Sequence, residues 1–339
     1  MNMQPCQEDN RSFFKKLQNE KGLDLRDNRG KRHDLAVILV GVMLALLSNR
    51  DGNLSSIHRY LQNHYERLAE CLGVEKKRVV SRSQLPIILA QVSVQVFDRL
   101  LLAHYGIKLN EEEQKWFATR GKELRGSIET GRRRGQAIVQ AVLHEDLRVA
   151  AQDYYAGEKE SEVPIVRKLL KETGLSKQKV SFDALPCQAA TLEIITREGG
   201  KYLVGLKENQ KQLKRQINLA IANESCLMSI KTQEKGHGRI ERRNYHFFDV
   251  LELEKDKRWK DCQIKTAIKV RRERIEIKTN KTSLEESFYL SNEVGKYEEL
   301  TQAIRGHWQV ETNNHIRDVS LKEDRMRSKK RSYSKRWEV

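Results

Sequence analysis

The sequence predicts an α/β protein with an all-α N-terminal domain over 1–112, followed by an α/β domain over 113–339 that carries a β-rich insertion at about 228–292. Three observations predict this class. Apolar residues recur at helical spacing through the first third of the chain. From about residue 136, short apolar strands alternate with amphipathic helices. Between residues 228 and 292 strand-like segments follow one another without a helix.

The first third predicts three main helices. The apolar run Leu35–Leu47 has 13 residues, which is short of the ~20 that span a bilayer, so it predicts a buried helix and no membrane partner. Periodic apolar residues predict a second helix over Leu54–Gly73 and a third from about Gln84 to His104, capped by Ser81 or Ser83. Two interpretations of these helices stay open, a DNA-reading helix–turn–helix and a plain packing domain.

The middle of the chain predicts strands and helices in alternation, which is typical of an α/β sheet. Proline in a first turn and glycine after a last turn mark the helix ends. In order, we expect strands over 136–144 and 148–154, a helix over 163–175, a strand ending at 183, a helix over 187–200, a strand over 201–207 and a helix over 208–223. Three strands then fill the β-rich insertion, and helical periodicity resumes over 297–324.

The charge balance indicates a polyanionic partner. The chain holds 64 Lys and Arg against 47 Asp and Glu, a net charge of +17, and nucleic acid is the commonest partner of such a protein. Its 5 cysteines are scattered without a CxxC pair, which argues against a disulfide framework and a cysteine zinc site. With a polar first segment and no secretory signal, the sequence predicts a cytoplasmic protein.

Two carboxylates are candidates for a site. Asp183 directly follows the apolar strand "VSF", at the strand's C-terminal end, where open α/β sheets bind their ligands; a helix N-cap is the alternative. Glu311 lies on a helical stretch, and one face of that helix carries an imidazole, two carboxylates and a cation: His307, Glu311, Asp318 and Lys322. The alternatives are an exposed charged stripe or a zinc site of His307, Glu311 and His315.

The segment "KGHGRIERR", residues 235–243, combines glycines with cations. Gly236 and Gly238 permit close backbone approach, and arginines suit phosphate groups. The sequence has no GxxxxGK[ST] loop, which argues against a nucleotide triphosphatase.

Several motifs, in order along the chain, resemble the DDE transposases of insertion sequences, in the branch related to the H-repeat-associated proteins. The resemblance covers nearly the whole chain. It rests on "RDNRGKRHDLAVILVGVMLALL" (26–47), "GKELRGS" (121–127), "FDALPCQ" (182–188), "GGKYLVGLKENQK" (199–211), "EKGHGRIERR" (234–243) and "RGHWQVETNNHIRDVSLKEDRMR" (305–327).

The resemblance implies a ribonuclease-H-like catalytic domain whose three carboxylates bind two divalent ions, Mg²⁺ or Mn²⁺, for cleavage and strand transfer of double-stranded DNA at the insertion-sequence ends and the target. Matched by position, Asp183 and Glu311 are the second and third carboxylates, both catalytic and both metal ligands. It also implies self-association as one option and a nucleoid location. The residues that it places at the DNA are Lys207, Asn209, His237, Arg239, Arg242 and Arg305.

This sequence departs from the pattern at two places. Where the family has its first Asp, directly before "GKELRGS", the chain has Arg120. Where the family continues with an apolar C-terminal helix, the chain ends "SKRWEV". We therefore expect a transposase with impaired catalysis. The alternatives are a catalytically inactive DNA-binding remnant and a nuclease of the same fold.

Overall fold

The computed structural model describes residues 13–48, 53–110, 112–128, 131–157, 160–236, 238–250 and 257–315. By its internal contacts the chain forms two compact units. The first comprises Met1–Gly106, Glu123–Gln136 and Asn314–Val339, and the second comprises Ile107–Lys122 and Ala137–Asn313. The predicted boundary after residue 112 stays a prediction. Within the described residues, no helix is both long and apolar enough to cross a membrane.

The described part of the first unit is mainly helical. Its helices are α1 (Phe13–Asn19), α2 (Leu35–Ser48), α3 (Leu54–Leu72), α4 (Gln84–Leu89) and α5 (Val94–Tyr105). The apolar run predicted as a buried helix is α2, and its side chains join α1, α3 and α5 in one core. The Asn53 side chain caps α3 by accepting from the Ser56 N–H, and Gly73, with φ 65°, ends that helix.

The helix predicted over 84–104 is two helices, and this corrects the prediction. Extended backbone separates α4 from α5, because Val92 forms an antiparallel bridge with Asp24 and the Ser93 N–H donates to Leu23 O. The Ser93 side chain then caps α5. Hydrogen bonds to a distant segment therefore outweigh the helical pattern here.

The described residues form a nine-stranded mixed sheet. Its strands are β1 (Trp116–Glu123), β2 (Gln136–Leu143), β3 (Val149–Ala156), β4 (Lys179–Phe182), β5 (Lys201–Leu206), β6 (Met228–Gly236), β7 (Arg239–Asp249), β8 (Thr266–Glu276) and β9 (Thr282–Ser291). The order is β3-β2-β1-β4-β5-β9-β8-β7-β6. β4 lies in the middle, parallel to both β1 and β5, and β9 runs antiparallel to β5.

Helices pack on both faces of this sheet. They are α6 (Glu162–Glu172), α7 (Ala189–Arg197), α8 (Lys211–Asn223) and α9 (Tyr297–His315). Side chains of α6, α7 and α8 share a core with Val180 and Phe182 of β4. Leu203 of β5 instead joins Leu300 and Ile304 of α9 in a second core, so α9 covers the opposite face.

The strands predicted over 228–292 are confirmed, but the described residues of this segment form four strands rather than three; that the segment is an insertion stays a prediction. The additional strand is β6, whose side chains are mostly exposed. Its side chains therefore lack the apolar alternation that marks a half-buried strand. Strands β6 to β9 form an antiparallel meander that extends the sheet through β9.

Candidate active site

Two of the residues predicted from sequence, Asp183 and Glu311, are in contact with side chains in or just beyond the carboxyl-terminal parts of β5 and β1: Asp183 with Lys207, and Glu311 with Arg120. Along β4, Val180 and Phe182 point into the core beneath α6 to α8, whereas Ser181 faces α9. Asp183 follows the strand and continues the Ser181 side. β1 pairs with β4 in parallel up to Thr119↔Phe182, so Arg120 and Asp183 come next on neighbouring strands.

The Asp183 carboxylate has two partners at one oxygen. Its Oδ1 accepts from the Ala184 N–H at 2.7 Å and from Lys207 Nζ at 3.1 Å. Burial raises the pKa of Asp183, but the Ala184 N–H and Lys207 together outweigh burial, so the pKa lies below its usual value. Asp183 does not cap α7, since that helix begins at Ala189.

The Glu311 carboxylate is paired with Arg120. Arg120 Nη1 donates to Glu311 Oε1 at 2.5 Å, across 191 positions of the chain. Both side chains are partly exposed, at 29% and 46% of their areas, so this pair stabilises the fold by no more than about 1 kcal/mol. The ion pair matters for the site rather than for stability, because it puts a guanidinium against a predicted metal ligand.

The helix α9 runs beside β4 in the same direction. Near its start, Glu299 accepts from Lys179 Nζ at 2.5 Å, and two turns later His307 Nδ1 is hydrogen-bonded to Ser181 Oγ at 3.0 Å. Glu299 and His307 both contact β4, and Glu311, four residues after His307, contacts Arg120 of β1. The described part of the helical face predicted from sequence, His307 and Glu311, is thus turned towards the sheet.

A third carboxylate was missed in the sequence. Glu162, at the start of α6, accepts a hydrogen bond from the Gly121 N–H, and a Cβ atom built on Gly121 would lie 2.4 Å from Glu162 Oε2. Burial raises its pKa; the Gly121 N–H and Arg120 oppose this shift, and the charge of Asp183 adds to it. The only signal in the sequence was an acidic residue in a first helical turn, which is too common to predict a site.

Two imidazoles complete the surroundings, of which His307 is buried and His144 partly buried. His144 Nε2 is hydrogen-bonded to Ser181 Oγ at 2.8 Å, on the other side of that hydroxyl from His307. Burial lowers the pKa of His307 to about 4 and that of His144 to about 3. The zinc interpretation gains no support, since His307 Nδ1 is engaged with Ser181 and the side chain of His315 lies outside the described residues.

The residues predicted to contact DNA fall into two groups. Lys207 and Asn209 lie beside Asp183: Lys207 pairs with its carboxylate, and Asn209 Nδ2 donates to Ala184 O at 2.7 Å. The cations of the other group each have an acidic partner: Arg239 with Glu241, Arg242 with Glu273, and Arg305 with Glu234. His237, Asp318 and Lys322 lie outside the described residues.

The donor set does not fit a pair of divalent cations. Asp183 is neutralised by Lys207 and Glu311 by Arg120, so an incoming metal ion would have to displace two organic cations. Within the described residues, no group of three His, Cys, Asp or Glu side chains could hold a metal ion. Arg120, at the position where the sequence analysis expects the family's first Asp, supplies no donor either, because an arginine has no lone pair to offer a metal.

Strand-edge carboxylates on a mixed α/β sheet, with a basic surface, agree with a comparison against known families. Residues 97–337 match the family described as "Transposase DDE domain", more than half of the chain, and the chain therefore belongs to that family. Members of this family catalyse polynucleotidyl transfer, and such domains use divalent metal ions.

The relatives identify the branch. The chain is similar to the "H repeat-associated putative transposase YhhI" of Escherichia coli K12, at 25% identity over 89% of this chain and 81% of that protein. It is similar to the "H repeat-associated putative transposase YbfD" of the same strain, at 24% identity over 67% of this chain and 90% of that protein. The predicted kinship with the H-repeat group is confirmed.

Proposed function

We propose that this chain is a DNA-binding transposase whose catalytic site is impaired: it binds double-stranded DNA at the sheet edge around Asp183 and Glu311, but cuts and joins it poorly or not at all. The observation that carries the proposal is the ion pair between Arg120 and Glu311. A guanidinium stands where the family's first carboxylate belongs.

The contacts between β4 and α9 support a shared site of Asp183 and Glu311. Ser181 and His307 are in hydrogen-bond contact. From Ser181 to Asp183 the strand advances about 6.6 Å, and from His307 to Glu311 the helix advances about 6 Å in the same direction. The two carboxylates should therefore stand level with each other.

Electrostatics support the loss of activity. A metal ion at this edge would face the charge of Arg120, and at ~4 Å and an effective dielectric constant of ~20 each pair of unit charges costs about 4 kcal/mol. Arginine stays protonated at any physiological pH, so the repulsion is permanent. The two Mg²⁺ or Mn²⁺ ions of the family are expected only when position 120 is acidic again.

The charge balance supports DNA binding that does not depend on catalysis. The net charge of +17 favours a phosphate backbone, and Lys207 and Arg242 present exposed cations on the sheet domain. Lys207 is paired with Asp183 and Arg242 with Glu273, and these ion pairs lie near the surface. A phosphate group can therefore replace the carboxylate in either pair at little cost.

The test is a strand-cleavage assay on duplexes that carry the ends of the element, with Mg²⁺ or Mn²⁺. We expect no cleavage by the chain as it stands and metal-dependent cleavage by Arg120→Asp. The matched control is Arg120→Asn, which removes the cation without adding a carboxylate and should stay inactive. Robust cleavage by the unaltered chain, abolished by Asp183→Ala, would contradict the proposal.

A second measurement separates folding from chemistry. Arg120→Asp gathers carboxylates at one edge, so its melting temperature should rise when Mg²⁺ or Mn²⁺ is added, by the equivalent of about 1.4 kcal/mol at a tenfold excess over Kd. Arg120→Asn should show no comparable rise. A folded Arg120→Asp that gains nothing from metal would place the first carboxylate elsewhere.

A further inference from the structure

Three polar side chains form a line between the end of β2, the middle of β4 and α9, and two of the three are buried. His144 Nε2 lies 2.8 Å from Ser181 Oγ, and Ser181 Oγ lies 3.0 Å from His307 Nδ1. Ser181 is fully buried, and His307 is 4% exposed. These three residues are called the histidine–serine line below.

The histidine–serine line has little freedom. Burial keeps both imidazoles neutral, so each ring offers one donor and one acceptor. Ser181 Oγ carries one proton and two lone pairs, so two arrangements satisfy both bonds. In one, an imidazole donates to Ser181 Oγ and Ser181 Oγ–H donates to the other imidazole; in the other, both imidazoles donate to Ser181 Oγ and its proton goes to Phe117 O at 3.5 Å. A slide of α9 along β4 would break a bond in a place where water cannot replace it, which is costly.

The backbone of α9 also packs directly against His144. A Cβ atom built on Gly306 of α9 would lie 2.3 Å from His144 Nδ1, so the helix backbone rests directly on the imidazole. The ring of His144 stacks on Trp116 at a centroid distance of 6.0 Å, and Trp116 Nε1 donates to Glu299 Oε1 at 2.7 Å. Helix α9 is thus fixed at Glu299 and again at His307.

The two carboxylates of the site follow directly after the bond between Ser181 and His307. The next turn of α9 carries Glu311, and two residues beyond Ser181 the chain reaches Asp183. Neither carboxylate is held to the other by a bond in the structure; each is paired with a flexible cation, Arg120 or Lys207. The last bond between β4 and α9 before the carboxylates joins Ser181 and His307, and one residue further on Trp308 is hydrogen-bonded to Tyr289 of β9. The separation of the carboxylates along β4 therefore depends on the bond between Ser181 and His307.

We propose that His144, Ser181 and His307 are positioning residues, which set α9 along β4 so that Glu311 stands level with Asp183. That this alignment serves the cleavage and joining of DNA rests on the proposed function. The alignment itself does not, because it is a property of the folded chain. A simpler account is that the line only satisfies buried polar groups, and the experiment must separate the two.

The experiment compares two pairs of introduced thiols on the same strand and helix. One pair replaces the carboxylates, as Asp183→Cys with Glu311→Cys. The other replaces the first contact, as Lys179→Cys with Glu299→Cys. In the background for both pairs, Cys6, Cys71 and Cys226 are replaced with serine. The two buried cysteines, Cys187 and Cys262, are kept. Each pair is crosslinked with a short bifunctional methanethiosulfonate, and the rate is followed by peptide mass spectrometry.

In the parent background we expect both pairs to crosslink. Ser181→Ala should slow the link between positions 183 and 311 by about tenfold or more, because such reactions depend steeply on placement. It should leave the link between 179 and 299 unchanged. His144→Phe, which keeps a ring but loses the bond to Ser181, should give the same pattern, and it serves if Ser181→Ala does not fold.

Three outcomes would overturn the proposal. Equal slowing of both links would mean that the line stabilises the fold in general without setting the site. No slowing of either link would mean that other contacts hold α9. A parent that links 179 to 299 but not 183 to 311 would show that the carboxylates do not face each other. Duplex DNA binding and strand cleavage by the unaltered chain are measured separately, and these two measurements decide the proposed function.

Discussion

His144 and His307 tie the stability of the sheet domain to pH. Burial holds the pKa of His144 at about 3 and that of His307 at about 4, against 6.5 for a free histidine. As the pH falls below 6.5, the unfolded chain binds protons at both residues and the folded chain does not. The stabilising contribution of the two neutral imidazoles is therefore fully present above pH 6.5 and is lost as the pH falls, down to about 4 for His307 and about 3 for His144.

We expect the free energy of unfolding to fall by up to ~1.4 kcal/mol per pH unit for each histidine in that window. Urea denaturation at pH 7, 6 and 5 measures it. His144→Gln should make the dependence shallower. A free energy of unfolding that stays constant from pH 7 to 5 would mean that the imidazoles bind protons equally in the folded and unfolded chain.

Sequence reasoning found Asp183, Glu311 and His307, but it missed Glu162, His144 and the role of Ser181. Asp183 was identified from the strand before it and Glu311 from the helical spacing around it, and both signals are local. The bonds of Ser181 reach His144 and His307 across 37 and 126 positions, and a single sequence carries no record of such pairings. A serine inside an apolar strand, "VSF", was the one available hint, because a buried hydroxyl needs a partner.

At the scale of the elements, one substitution in α9 tests packing against helix propensity, because the two predict stability changes of opposite sign. Gly306→Ala should favour the helix by about 1 kcal/mol on propensity alone. In the structure the new Cβ atom would meet His144 Nδ1 at 2.3 Å. We therefore expect a net destabilisation of about 1–3 kcal/mol, as for other overpacked sites.

The control is Gln302→Ala, an exposed position on the same helix, which should change stability by no more than about 0.5 kcal/mol. Both variants are compared by urea denaturation at pH 7. A stabilised Gly306→Ala would show that α9 lies farther from β2 than the structure has it, and it would weaken the positioning role given to His144.

At the same scale, the sequence predicted the elements with strong local patterns and missed those decided by distant partners. The alternation of β4, α7, β5 and α8 follows directly from apolar runs and glycine stops. β6 is a strand because β7 pairs with it along nine residues, although its own side chains carry little apolar signal. The break between α4 and α5 depends in the same way on residues about 70 positions earlier.

At the scale of the whole molecule, the net charge of +17 predicts how DNA binding responds to salt. Each phosphate contacted should release counterions and contribute about −0.9 to the slope of log K against log salt. The affinity for a duplex, measured from ~50 to ~200 mM salt, should therefore fall steeply. Binding that ignores salt would contradict the nucleic-acid interpretation.

A pair of variants makes this measurement specific. Arg242→Ala removes an exposed cation of β7 and should reduce the slope by about 0.9. Lys171→Ala removes the same charge from α6 and is expected to leave the slope unchanged. Equal effects of the two substitutions would mean that DNA responds to total charge only, with no preferred surface.

The edge position of β6 has a consequence for how copies of this protein behave together. In the described sheet β6 pairs with β7 on one side, and its other side ends the sheet, which leaves a row of backbone donors and acceptors that could add a strand from a second chain. Exposed Lys231 and Lys235 lie along that strand. An approaching copy would bring its own lysines against them, and like charges oppose the pairing. Lys231 and Lys235 would therefore oppose edge-to-edge aggregation of copies through β6. Concentrated salt screens their charges and would weaken this repulsion.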